Sequence, residues 1–292
     1  MKIPPRMRKL TETLVAQRST HVWGNAQRKM TEWRTLIERV RDQQPDNVAA
    51  QGFKVYSQND EDGIIEAIFD RIGGDRDKTF IEVGVQDGQE CNTHYLLLKD
   101  WRGAWIDAGD EYCRKIVETL GGDSFGTRFK LVKDFVFTTN VAAHYREICT
   151  YLGVDEIDFY SLDIDGNDLY VMRAMLAAGA RPSVVCVEYN GKFPPPLSIS
   201  VSHDESRFWQ SDDYFGASLQ AFADLFAEFG YRLVTCSVVG GNAFFVREDH
   251  ADKFAPITPK EAWHQLKIYL IPLPAPHRPS MKYLRDKLAA AR

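Results

Sequence analysis

The chain has 292 residues, 44% hydrophobic and 26% charged, the proportions of a folded globular protein and too apolar for wholesale disorder. Its net charge of −5 is unevenly spread: residues 1–50 hold ten Lys/Arg and five Asp/Glu, residues 277–292 hold five and one, and 21 bases face 35 acids in between. An acidic body lacks the basic working face of a nucleic-acid enzyme, so no nucleic-acid partner is expected. The basic ends are expected to pack on that body or on a second subunit, as a homodimer.

No apolar run approaches the ~18 residues of a membrane span, and the charged N-terminus has no apolar core of a secretory signal. The five cysteines (Cys91, Cys113, Cys149, Cys186, Cys236) are odd in number, scattered, and without a Cys-x-x-Cys pair. Reduced thiols and a cytoplasmic location are the expectation.

Residues 1–50 read as a helical extension, with Met30, Trp33, Leu36, Ile37 and Val40 at helical spacing and Pro45 near its end. Ser57 followed by Asp60 resembles a capping box for a helix whose apolar stripe is Ile64, Ile65, Ile68 and Phe69, stopped by Gly73-Gly74. Strands over 79–85, 103–107, 129–136, 157–163 and 183–189 then alternate with helices near 91–100 and over 111–120, 140–152 and 167–178. Such alternation predicts a parallel sheet covered on both faces.

After a helix over 216–229, the strands 231–238 and 242–246 are joined by only a few residues. A parallel crossover needs about a dozen, so these strands form an antiparallel hairpin. The predicted architecture is α/β and Rossmann-like: a mostly parallel sheet with a terminal antiparallel hairpin, as in class I methyltransferase folds. The working domain spans 51–248, an N-terminal extension precedes it, and a proline-rich tail over 249–292 wraps it.

The first strand runs into Glu82-Val83-Gly84-Val85-Gln86-Asp87-Gly88. Gly84 and Gly88 allow a sharp turn and close approach to a ligand where open α/β sheets bind one. The spacing is not the Gly-x-Gly-x-x-Gly of a pyrophosphate cradle, and Glu82 with Asp87 would repel a diphosphate. A ligand carrying an ammonium and a sulfonium, S-adenosylmethionine, suits such a loop. Asp107, at the end of the second strand, is placed to accept hydrogen bonds from ribose hydroxyls.

Several segments together resemble the FkbM-type SAM-dependent methyltransferases. They are Tyr56-Ser57-Gln58 with Glu61-Asp62, Phe80-Ile81-Glu82-Val83-Gly84, Asn92-Thr93, Trp101 through Asp107, Ser161 through Gly166, and Val187-Glu188. The resemblance covers about residues 52–248. It implies a class I fold and methylation of a hydroxyl on a sugar, glycan or secondary metabolite. It places Glu82, Gly84 and Gly88 around the methionine end of the cofactor, Asp107 on the ribose and Asp134 at the adenine amine. Asn92 and Thr93 begin the next helix as cofactor ligands, or Thr93 satisfies its own backbone. Gln58 belongs to a segment that closes over the cofactor. The acidic Gln86-Asp87 and Gln89-Glu90 depart from the small-residue loop of the family.

The chemistry is expected where the fourth and fifth strands end side by side, at Asp163, Asp165, Glu188 and Asn190. Methyl transfer needs an aligned alcohol oxygen and somewhere to put its proton. Asp163 or Asp165 serves as the base, or Asp163, Glu188 and Asn190 hold Mg²⁺. Asp165 and Asp168 read equally as turn and helix-cap residues. His94 is a further catalytic candidate at the substrate mouth, or a structural histidine. The long aromatic segment 191–216 reads as a lid over a small-molecule or glycan acceptor. Two rival readings are a metal-dependent glycosyltransferase using Asp163-Ile164-Asp165 and a SAM-binding protein without catalysis.

Overall fold

The computed structural model describes residues 5–290 except 75, 207 and 276, with side chains from residue 23 onward. Helix α1 (Pro5–Gln43) and a 3-10 turn (Val48–Gln51) lead to α2 (Glu61–Ile72). The alternating region follows: β1 (Thr79–Val83), α3 (His94–Leu98), β2 (Arg102–Asp107), α4 (Asp110–Leu120), β3 (Ser124–Phe125), β4 (Phe129–Lys133), α5 (Val141–Leu152), β5 (Phe159–Leu162), α6 (Asp168–Ala177) and β6 (Val184–Glu188). Then come α7 (Leu219–Glu228), β7 (Tyr231–Cys236) and β8 (Asn242–Arg247). The tail carries α8 (Glu248–Ala251), α9 (Pro259–Ala262), a 3-10 turn (Ile268–Leu270) and α10 (Lys282–Ala290).

The eight strands form one sheet in the order β3-β4-β2-β1-β5-β6-β8-β7. Five neighbours from β4 to β6 run parallel, while β8 is antiparallel to β6 and β7 antiparallel to β8. This is the sheet with a terminal hairpin that the strand spacing predicts. The two-residue β3, antiparallel to β4, is an addition too short for any sequence periodicity to reveal. The parallel strands read as near-continuous apolar runs because both of their faces are covered; every residue of β1 is buried.

Two apolar layers sandwich the sheet. One face packs Phe80, Trp105 and Phe159 against α2, α3 and α4, joined by Ile37 and Val40 of α1 and by Leu284 and Leu288 of α10. The other packs Ile81, Tyr160 and Val185 against α5, α6 and α7. Both terminal extensions therefore finish the same layer. The tail is also pinned by charge, since Lys287 lies 2.9 Å from Asp100.

Entry into α2 differs from the expected capping box. Asp60 makes no side-chain cap bond to its helix. Asp62 instead accepts the N–H groups of Val55, Tyr56 and Ser57 at 2.6, 2.8 and 2.9 Å and the Ser57 hydroxyl at 2.8 Å. The Asp60 carboxylate is committed to Ser237 and the Val238 N–H, tying the segment to the hairpin. All five cysteines are buried and free, and among the described residues no helix is long and apolar enough to cross a membrane.

Candidate functional site

The chain passes from β1 out to β2 and β4 on one side, then returns to β5 and β6 on the other. The reversal opens a crevice beyond the carboxyl ends of β1 and β5. A cleft of about 370 Å³ occupies it, lined by Gly84 and Gln86 after β1, Asp107 after β2, Asp134 through Phe137 after β4, and Asp163 through Asn167 after β5. That volume is within the usual range for small-molecule sites.

The first wall depends on glycine. Gly84 has φ +86°, and a Cβ there would lie 1.7 Å from the carbonyl oxygen of Asp163. The turn after β1 and the end of β5 are thus in direct contact, which only glycine permits. Gly88 is equally constrained, at φ +71° with Trp105 2.5 Å from where a Cβ would stand. Gln86, also at positive φ, donates its N–H to Asp107 Oδ2 at 2.7 Å, and Gly109 donates to Oδ1 at 2.7 Å. These two bonds fix the carboxylate at the cleft. Burial raises its pKa and both N–H bonds oppose the rise.

Asp134 also lines the cleft, its Oδ1 held by the Phe135 N–H and its Oδ2 3.1 Å from Nε2 of His144. Phe135, Val136 and Phe137 give this end an apolar wall suited to a flat heterocycle.

At the other end, Asp163, Asp165 and Glu188 bring a carboxylate oxygen each to within 4.8 Å of one another. Asp168 shapes their loop, accepting the N–H groups of Ile164 at 2.9 Å and Gly166 at 2.8 Å, and the N-cap of α6, Asn167, makes no side-chain cap bond. Asp165 stands at φ +54°, an uncommon conformation of the sort found at functional loops. Asp163 and Glu188 stand close together, and both are held well above the ordinary carboxylate range. Burial is the main cause for each, followed by the negative charge of Asp165 for Asp163 and of Asp163 for Glu188. Carboxylates gathered this closely favour the protonated form over the charged one.

Several predicted residues lie elsewhere. Glu82 turns into the layer beneath the cleft. Its carboxylate accepts the N–H groups of Asn92 and Thr93 at 2.8 and 2.9 Å and the Thr93 hydroxyl at 2.5 Å, closing the start of α3. Thr93 accepts the Trp105 indole N–H at 2.8 Å, and Asn92 donates to Ser161 at 3.1 Å. His94 is fully buried rather than at a substrate mouth: its ring stacks on Tyr56 at 3.7 Å and Nδ1 lies 3.0 Å from the Gly88 carbonyl oxygen. Burial lowers its pKa to about 4, so it is neutral. Gln58 is exposed, and its carbonyl accepts the Leu273 N–H of the tail at 3.0 Å.

The Asn190 side chain is committed to the segment after β6. Its amide donates to the carbonyls of Asp213 and Phe215 at 3.0 and 3.2 Å, and its Oδ1 accepts the Lys192 N–H. Tyr112, Phe135 and Phe137 line the cleft without having been singled out from the sequence, and Glu205 and Phe208, read there only as part of the acceptor lid over 191–216, line it too.

No family model matches the chain, and no curated protein does. Solved structures of similar architecture include a SAM-dependent methyltransferase from Methanosarcina mazei, at 9% identity and TM-score 0.36 over 58% of this chain and 92% of that one. The glycopeptide N-methyltransferase MtfA with S-adenosyl-L-methionine matches at 10% identity and 0.38, over 67% and 96%. An O-methyltransferase family protein from Burkholderia thailandensis matches at 9% and 0.39, over 63% and 55%. The sheet order with its terminal hairpin defines the class: this is a Rossmann-like fold of the class I methyltransferase type.

Proposed function

We propose that the protein is a SAM-dependent O-methyltransferase acting on a hydroxyl of a sugar, glycan or similar metabolite. The observation that carries the reading is the meeting of two features in one crevice, a nucleoside-sized cleft with Asp107 fixed in its wall and the cluster of Asp163 and Asp165, which line it, with Glu188. The residues present fit the cofactor. Asp107 offers carboxylate oxygens to a ribose, Phe135 through Phe137 a wall to adenine, and the acidic cluster a favourable field for a sulfonium. When bound, the cofactor supplies an electrophilic methyl group.

Asp163 then has a defined task. An acceptor hydroxyl placed against it would give its proton to the Asp163 carboxylate, while the bound cofactor would supply the methyl group. A carboxylate whose pKa is raised is a stronger base than an ordinary one, which suits the weakly acidic hydroxyl. The segment 191–216 serves as the acceptor lid. Asn190 anchors its far end, and Trp209 and Tyr214 expose aromatic faces to solvent.

A second reading has a specific observation behind it. Three carboxylate oxygens within 4.8 Å also suit a divalent cation such as Mg²⁺. Asp163, Asp165 and Glu188 would hold it, and its charge would acidify the hydroxyl in place of a base. The test of the function is isothermal titration with S-adenosylhomocysteine, with NAD⁺ and UDP-sugars as comparisons. Binding of the homocysteine product alone is the expected result. A UDP-sugar binding instead, in a metal-dependent way, would refute the proposal in favour of glycosyl transfer.

A further inference from the structure

Three contacts join the connection between β6 and α7 to the cofactor cleft rather than to the acceptor side alone. Asn167, on the cleft wall, exchanges two hydrogen bonds with the backbone of Asp204, its Nδ2 donating to the carbonyl at 2.9 Å and its Oδ1 accepting the N–H at 3.2 Å. Glu205 Oε1 accepts the N–H and the hydroxyl of Thr138, at 3.1 and 2.5 Å, from the loop after β4. The Phe208 ring meets Phe135 edge-on, with centroids 5.8 Å apart. Glu205 and Phe208 both line the cleft, yet they lie about 40 residues beyond the last other residue that does.

The placement is not what an acceptor lid alone requires. One side of the clasp is fixed to the β5–α6 loop, where the carboxylates stand, and the other to the β4–α5 loop, whose aromatic residues form the far wall. Phe208 is 65% exposed even while it touches Phe135, so its ring has no core position to fill. A large apolar side chain held over the rim of a cleft, with no interior to occupy, gains most from a flat apolar occupant beneath it.

We propose that Glu205 and Phe208 are cofactor-retaining residues: with Asn167 and Thr138 as anchor points they clasp the nucleoside end of the methyl donor and of its product, and exchange of the product requires the clasp to release. The proposal rests on the reading of this cleft as the donor site. It assigns one end of the β6–α7 connection to the nucleoside and leaves the end held by Asn190 to the acceptor.

The test is the binding of S-adenosylhomocysteine to the full chain, by titration calorimetry for affinity and by stopped-flow displacement for the dissociation rate. Phe208→Ala, Glu205→Ala and Thr138→Val are compared with the unaltered protein. Phe208→Ala should speed dissociation about tenfold, the scale of losing one aromatic contact to a base. Thr138→Val attacks the clasp from the opposite wall, and its effect should be non-additive with that of Glu205→Ala, because both break one connection. The melting temperature of Phe208→Ala should stay unchanged, since that side chain is exposed, whereas Glu205→Ala and Thr138→Val remove half-buried hydrogen bonds and are read by their dissociation rates.

If the unaltered protein binds S-adenosylhomocysteine and all three variants exchange it at the unaltered rate, the clasp is refuted while the donor site stands. If the unaltered protein does not bind it, the donor-site reading falls and the clasp falls with it.

Discussion

Replacing Gly84 by alanine tests whether the cleft is built as described. The added Cβ would lie 1.7 Å from the Asp163 carbonyl oxygen and 2.8 Å from its carbonyl carbon. A carbon and a carbonyl oxygen rest no closer than about 3.3 Å, so some 1.6 Å of separation must be found. Neither side yields readily. Gly84 donates to the Ile106 carbonyl at 2.9 Å, and the Asp163 N–H is held by the Val83 carbonyl at 3.1 Å. The left-handed φ costs an alanine about 1–2 kcal/mol and overpacking about 1–3, so a loss of about 2–5 kcal/mol is expected. Many domains survive that, since total stability is about 5–15 kcal/mol. The functional loss should exceed the structural one, because displacing Asp163 by about 1 Å costs a reaction of this kind about 100-fold. Urea unfolding followed by circular dichroism measures the first, and titration with S-adenosylhomocysteine shows whether the donor wall has moved. A variant within about 1 kcal/mol of the parent and with unchanged affinity would refute the contact between the β1 turn and β5.

Asp107→Ala should raise the dissociation constant for S-adenosylhomocysteine at least tenfold, given about 1.5–3 kcal/mol for hydrogen bonds to a charged group; unchanged affinity would remove the ribose assignment. Asp163→Asn should abolish transfer of radiolabelled methyl from S-adenosylmethionine into an extract of hydroxylated metabolites while keeping product affinity, and retained transfer would exclude Asp163 as the base. Glu82, pushed to about 7 by burial from an ordinary 4.5, makes the folded chain bind more protons than the unfolded one between those values. The stability it contributes is complete below the lower value and is lost as pH rises through about 7. Glu82→Gln should flatten that part of the stability profile, and an unchanged slope would sink the assignment.

The fold was legible because its signals are local. Short apolar runs bounded by turn residues mark every strand but β3, and the brief link around Gly240-Gly241 distinguishes a hairpin from a crossover. The strand-end carboxylates were legible for the same reason: Asp107 and Asp163 each follow an apolar strand, where the topology aims at the crevice. The residues that turned inward carried a signal of another kind. Glu82 shares a sheet face with Phe80, because side chains two apart on a strand point the same way, so it belongs to the buried layer and not to the crevice. Its three hydrogen-bond donors then had to come from Asn92 and Thr93, which draws those residues away from the ligand as well. Glu205 and Phe208 could not be read in this way, since their place depends on how a long irregular segment folds back over loops distant in sequence.

Asp163, Asp165 and Glu188 raise a question that stability alone answers badly. Gathering like charges in a half-buried crevice opposes folding, and it persists only if a proton or a cation offsets it. The two alternatives predict opposite responses. If the Asp163–Glu188 pair holds a proton, acid favours the folded state: the raised pKa values make stability complete below the ordinary carboxylate range and erode it as pH rises through the folded values. Asp165→Asn, which removes a neighbouring negative charge, should then raise the melting temperature at pH 8 with or without Mg²⁺. If a cation is held, Mg²⁺ should raise the melting temperature of the unaltered protein by mass action, and Asp165→Asn or Glu188→Gln should abolish that rise. We expect the first pattern, because burial and the neighbouring negative charges already favour the protonated form of Asp163 and Glu188. A Mg²⁺-dependent rise that disappears in Glu188→Gln would overturn it and make the hydroxyl's activation the work of a metal.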